Sequence, residues 1–85
     1  MKVQLLETQH NNNLSPAQLR TFSKFQRKLK EKVPDYQIAW VHPIKENMIE
    51  VGLDSKNKMT YRKTRRAVNL ALEVEDQTGV FVILL

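Results

Sequence analysis

The stretch Tyr36-Gln37-Ile38-Ala39-Trp40-Val41-His42-Pro43-Ile44-Lys45-Glu46-Asn47-Met48-Ile49-Glu50-Val51-Gly52-Leu53 decides the fold. Tyr36, Ile38 and Trp40 alternate with Gln37, Ala39 and Val41, and Ile49, Val51 and Leu53 alternate with Met48, Glu50 and Gly52. A period of two marks a strand with one buried face, so the two runs with the break at His42 to Asn47 predict a hairpin. With a loop over Pro43 to Glu46, Trp40 stands opposite Ile49 and Ile38 opposite Val51 on the core face. Ala39, Val41, Met48 and Glu50 then take the other face.

Working outward, the segment before the hairpin is a helix. Ser15-Pro16-Ala17-Gln18 combines an N-cap serine, a proline at the first helical position and a glutamine three residues on, a capping box. Leu14 and Leu19 stand at staple positions. Leu19, Phe22, Phe25 or Gln26, Leu29 and Val33 recur at helical spacing, and Pro34 stops the run. Earlier still, Lys2 to Thr8 with Val3, Leu5 and Leu6 reads as a strand, ended by Gln9 to Asn13. On the other side, Asp54-Ser55-Lys56-Asn57 is turn chemistry. A second helix follows from Lys58 or Thr60 to Gln77, closed by Gly79. Its expected buried stripe is Thr64, Ala67, Val68, Ala71, Leu72 and Val74 or Glu75. Val80 to Leu85 is an uninterrupted apolar strand.

The order βαββαβ makes residues 1–85 a single α+β domain and suggests a ferredoxin-like two-layer sandwich. That fold has a four-stranded antiparallel sheet with two helices on one face. In its usual strand order the last strand is an edge. An edge reading Val-Phe-Val-Ile-Leu-Leu without charge or proline needs a cover, and a homodimer through Val80, Val82 and Leu84 supplies one.

Eighty-five residues support one small core, and with no cysteine there is neither a disulfide nor a thiolate metal site. No apolar run reaches the ~20 residues of a membrane span, and Met1 to Thr8 does not read as a secretion signal, so the expectation is a cytoplasmic protein without a membrane. The net charge of +5 favours polyanionic partners.

Twelve of the fourteen Lys and Arg residues lie in segments 20–32 and 56–66. The second holds Lys56, Lys58, Arg62, Lys63, Arg65 and Arg66 with no acid, at the start of a helix. A helix N-terminus already carries partial positive charge, so cations there cost stability unless an anion is expected. Further along, Glu73 and Asp76 continue the face of Arg62, Arg66 and Asn69, giving a gradient opposite to the one the dipole favours. In the first helix Arg20, Lys24, Arg27 and Lys28 form a stripe ending near Glu31. Helices side by side would open both stripes onto one surface. The plainer alternative is a solvated face in which Glu73 and Asp76 pair with lysines elsewhere.

Absent features narrow the mode of binding. The expected outer sheet face of Gln4, Leu6, Ala39, Val41, Met48 and Glu50 has no aromatic, which argues against base stacking on the sheet. No helix-turn-helix pattern is present. Contact would run through phosphates, with DNA and RNA equally admissible. Catalysis lacks support: there is no Gly-rich phosphate loop, no zinc-protease motif and no nucleophile elbow. His10 with His42, or Glu46 with Glu50 and Asp54, make no convincing catalytic or metal set. The expectation is a small, non-enzymatic, cofactor-free and metal-free nucleic-acid-binding domain acting through Arg62, Lys63, Arg65, Arg66, Lys56, Lys58, Arg20, Lys24, Arg27 and Lys28. The alternative is a protein-interaction module, an adaptor or a phage-type inhibitor, that uses the last strand's edge or the outer sheet face against an acidic protein.

Overall fold

The computed structural model describes residues 14–85. Within them the chain runs α1 (Pro16–Lys32), β1 (Tyr36–Lys45), β2 (Met48–Ser55), α2 (Tyr61–Thr78) and β3 (Phe81–Leu84). The strand expected at Lys2–Thr8, and with it Gln4, Leu6 and His10, lies outside the described residues.

Helix α1 begins as its capping box dictates. The Gln18 N–H donates to Ser15 Oγ at 3.2 Å, and the Ser15 N–H donates back to Gln18 Oε1 at 2.8 Å. The Gln18 amide then donates to the Lys45 carbonyl at 2.6 Å, tying the helix start to the far end of β1. Gln18 and Thr21 are accordingly buried beside Phe22, Phe25 and Leu29, while Leu19 is only half-buried. The expected stripe therefore sits slightly off, because a satisfied glutamine takes the place assigned to Leu19.

The sheet has the order β1-β2-β3, with β1 antiparallel and β3 parallel to β2. It is thus mixed, where an antiparallel sheet was expected, because the strand–helix–strand connection through α2 returns the chain in the direction of β2. Both helices pack on one face of the sheet. Phe22, Phe25, Leu29, Ala67, Leu70, Ala71 and Val74 from the helices join Tyr36, Val41, Ile49, Val51 and Val82 from the strands in one core.

The hairpin differs from its expected register. β1 runs on through Pro43 to Lys45, and the turn is Glu46-Asn47. Ile38 pairs with Leu53, Trp40 with Gly52, Val41 with Val51 and Pro43 with Ile49, with irregularities at Ala39 and Ile44. Two physical causes combine. β1 is the outermost described strand on its side, so a proline that cannot donate to a ladder is tolerated. The extra residue at Ala39 is a bulge, and a one-residue slip exchanges the two faces beyond it. Val41 is therefore core, and Trp40, expected there, lies on the outer face.

Helix α2 starts at an N-cap Thr60, whose Oγ1 accepts from the Lys63 N–H at 3.2 Å, and it ends at Gly79 with φ 78°, the left-handed conformation expected. Its buried residues are Ala67, Leu70, Ala71 and Val74. Val68 and Leu72, expected in that stripe, are 41% and 50% exposed. They flank the buried face on the side of β3, which is too short and too near the edge of the sheet to cover them.

Candidate functional site

The basic start of α2 is held in place by one buried tyrosine and one acid. The Tyr36 hydroxyl, rooted in the core, lies 2.8 Å from Thr64 Oγ1 and 3.3 Å from the Thr60 carbonyl, and accepts from the Thr60 N–H at 3.3 Å. Between β2 and α2, the Lys56 N–H donates to the Asp35 carbonyl at 3.2 Å and the Asn57 N–H to Ser55 Oγ at 3.2 Å. Asp35 also takes the Lys63 ammonium as hydrogen-bonded ion partner. That contact, and the charge that goes with it, holds the Asp35 carboxyl below its usual range, with Asn57 and Lys56 adding smaller contributions. Lys63 thus anchors the helix start, and its charge is largely spent on Asp35.

Around that anchor, Lys56, Lys58, Arg62, Arg65 and Arg66 are exposed. Among the described residues the ion pairs engage only Lys63 with Asp35 and Lys28 with Glu73. The first turn of α2 contains no acid. Tyr61, 79% exposed, stands among these cations.

The end of α1 meets the start of α2 through Asp35 and Tyr36, while Thr78 shares a groove with Pro16, Leu19 and Arg20, so the two helices run antiparallel. This arrangement separates the two basic stripes in part. Arg20, Lys24 and Arg27 line the groove near the end of α2. Lys28 reaches across at 3.1 Å to Glu73, so for this acid the plainer pairing with a lysine of the other helix holds. The valley between the helices carries Lys28 and Glu73, and by helical spacing Arg62 and Arg66 share the Glu73 side of α2. The cations of α1 and α2 therefore meet one surface, with its strongest uncompensated positive charge at the α2 start.

The other face of the sheet holds what the sequence reading missed. An ideal Cβ at Gly52 would fall 2.2 Å from the Trp40 indole, so the ring occupies the space above a glycine on the neighbouring strand. It stacks on His42 with centroids 4.9 Å apart and planes 24° apart. By register, Glu50 and Ile83 lie on the same face, with Met48 and Phe81 beyond them. The outer face is thus not free of aromatics, and the ground for excluding stacking there falls away. The signal available in the sequence was a glycine in mid-strand facing a run with one tryptophan.

Among the described residues no group of three or more His, Asp or Glu is placed to hold a metal ion, and no helix is long and apolar enough to cross a membrane. Val80 and Val82 bury their side chains in this chain's own core and Leu84 is half-buried; the Val80 N–H donates to Thr78 Oγ1 at 3.2 Å, so at the β3 edge only Val82 and Leu84 offer backbone. Compared with known proteins, the chain matches no family model, no curated protein and no solved structure.

Proposed function

We propose that this domain binds nucleic acid through its phosphates, at the surface formed by Lys56, Lys58, Arg62 and Arg66 with Arg65 at its flank and Arg20, Lys24, Arg27 and Lys28 as outlying support. The observation that carries the reading is the set of exposed cations at the α2 start, none of them in an ion pair among the described residues, with Lys63 paired to Asp35 and Lys56 only a lesser charge beside that carboxylate. Such a cluster on the positive end of a helix is self-repulsive until an anion arrives, which favours a polyanion over solvent. Lys63 acts as the positioning residue, since its ion pair fixes the helix start from which the arginines project.

The domain works without catalysis or cofactor, in the cytoplasm. Base stacking is not needed for phosphate binding, but Trp40 with His42 gives it a place if the strand is single. A protein-interaction reading keeps one specific observation in its favour, the exposed Val68 and Leu72 beside the β3 edge.

The test is a fluorescence anisotropy titration with labelled single- and double-stranded DNA and RNA at two salt concentrations. Binding that weakens steeply with salt is expected, the slope counting the phosphates engaged. No binding at low salt would overturn the proposal.

A further inference from the structure

We infer that a second copy of this chain docks on the β3 edge and the adjoining flank of α2, about a two-fold axis that pairs β3 with β3 and α2 with α2. Apart from Arg65, which flanks the phosphate site, the residues that carry the inference lie outside that site. β3 is an edge strand among the described residues. The Phe81 N–H bonds the Asn47 carbonyl, the Leu85 N–H bonds the Val51 carbonyl and the Leu53 N–H bonds the Leu85 carbonyl, so the odd-numbered positions face β2. Alternation along a strand then turns the N–H and C=O groups of Val82 and Leu84 outward. Antiparallel pairing of two copies about Ile83 would join Val82 of each to Leu84 of the other by reciprocal hydrogen bonds, the self-matching geometry of a two-fold interface.

The groove above this edge is apolar. It measures about 360 Å³ and is lined by Val68, Ala71 and Leu72 from α2 and by Phe81 to Leu84. What selects a second copy as its occupant is the charge order on the helix. Arg65, Val68, Leu72 and Glu75 follow one another at spacings that stay on one flank of α2. Turned end over end about the midpoint of Val68 and Leu72, the same stripe sets Glu75 against Arg65 and Leu72 against Val68. On this flank the order from Arg65 to Glu75, which opposes the helix dipole within one copy, is complementary to itself across such an axis. A partner of unrelated sequence would have to supply both this charge order and a free strand edge.

The experiment is sedimentation equilibrium without nucleic acid on the parent chain, Leu72→Arg, Arg65→Glu, Glu75→Arg and the Arg65→Glu/Glu75→Arg pair, with far-UV circular dichroism as the check on folding. The parent should sediment at twice the 10.0 kDa of the chain and Leu72→Arg as a monomer. Each single reversal places like charges together twice per dimer and should weaken association about tenfold, and the double reversal should restore it. A 10.0 kDa parent would overturn the inference, since something other than a second copy would then cover the edge. A parent dimer indifferent to Leu72→Arg and to the reversals would overturn it too, by placing the contact elsewhere. Neither result bears on the salt titration, because Arg62 and Arg66 project from the other flank of α2.

Discussion

The Trp40 indole fills the place that any side chain at Gly52 would occupy, with its Cε2, Nε1 and Cζ2 atoms 2.2, 2.3 and 2.6 Å from an ideal Cβ there. Gly52→Ala therefore cannot be accommodated without moving the ring. It should cost about 1–3 kcal/mol, the usual range for overpacking, and should disturb the stack with His42. Urea denaturation followed by the fluorescence of the single tryptophan measures both effects. An unchanged midpoint and spectrum would show that the ring does not rest on Gly52.

Tyr36→Phe keeps the ring in the core and deletes the hydroxyl that meets Thr60 and Thr64. Leaving those groups without their partner should lower stability by about 1–2 kcal/mol. The loss should be local, with amide hydrogen exchange rising at Thr60 to Thr64 before the rest of α2. Uniform protection along the helix would deny the tyrosine its anchoring role.

Acid should loosen the same corner. The Asp35 carboxyl titrates below its ordinary value because the Lys63 hydrogen bond and charge favour its ionised form. A carboxylate depressed in the folded state contributes stability above its unfolded pKa, and that contribution disappears as pH falls through the folded value. Melting temperature should therefore fall more steeply below about pH 4 for the parent than for Asp35→Asn, which starts lower and loses no such contribution. Parallel curves for the two proteins would show that the ion pair does not persist in solution.

Arg62→Glu with Arg66→Glu should abolish salt-sensitive binding to DNA or RNA while leaving circular dichroism unchanged, since both side chains are exposed. Binding within about twofold of the parent would remove these arginines from the site. Glu73→Gln should do the reverse: it frees Lys28 from its 3.1 Å bridge, costs less than about 1 kcal/mol as an exposed pair, and should tighten binding.

How far the sequence could be read follows from the range of each signal. The capping box at Ser15, the stop at Pro34 and the left-handed Gly79 are local chemistry, and each stands where the residues put it. The hairpin was legible as a hairpin, but its register was not, because nothing in the alternation marks Ala39 as an extra residue. That one position moves Trp40 out of the core and Val41 into it. Val68 and Leu72 fit a helical stripe yet lie beyond the edge of the sheet that would bury them, a fact of strand order which periodicity does not carry. The basic cluster was visible as composition. That Lys63 is spent on Asp35, 28 positions away, is a tertiary contact with no local sign.

The central position of β2 also sets a sequence of events. One of its neighbours is reached through the two-residue turn at Glu46-Asn47, the other only after the 18 residues of α2. Closing the short loop costs little chain entropy, while β3 must wait for the helix to span the gap. The hairpin should thus form first and β3 dock last, and β3 should be the first to leave when the molecule opens. Defects in β3 should accordingly shorten the lifetime of the folded state with little effect on the speed of reaching it.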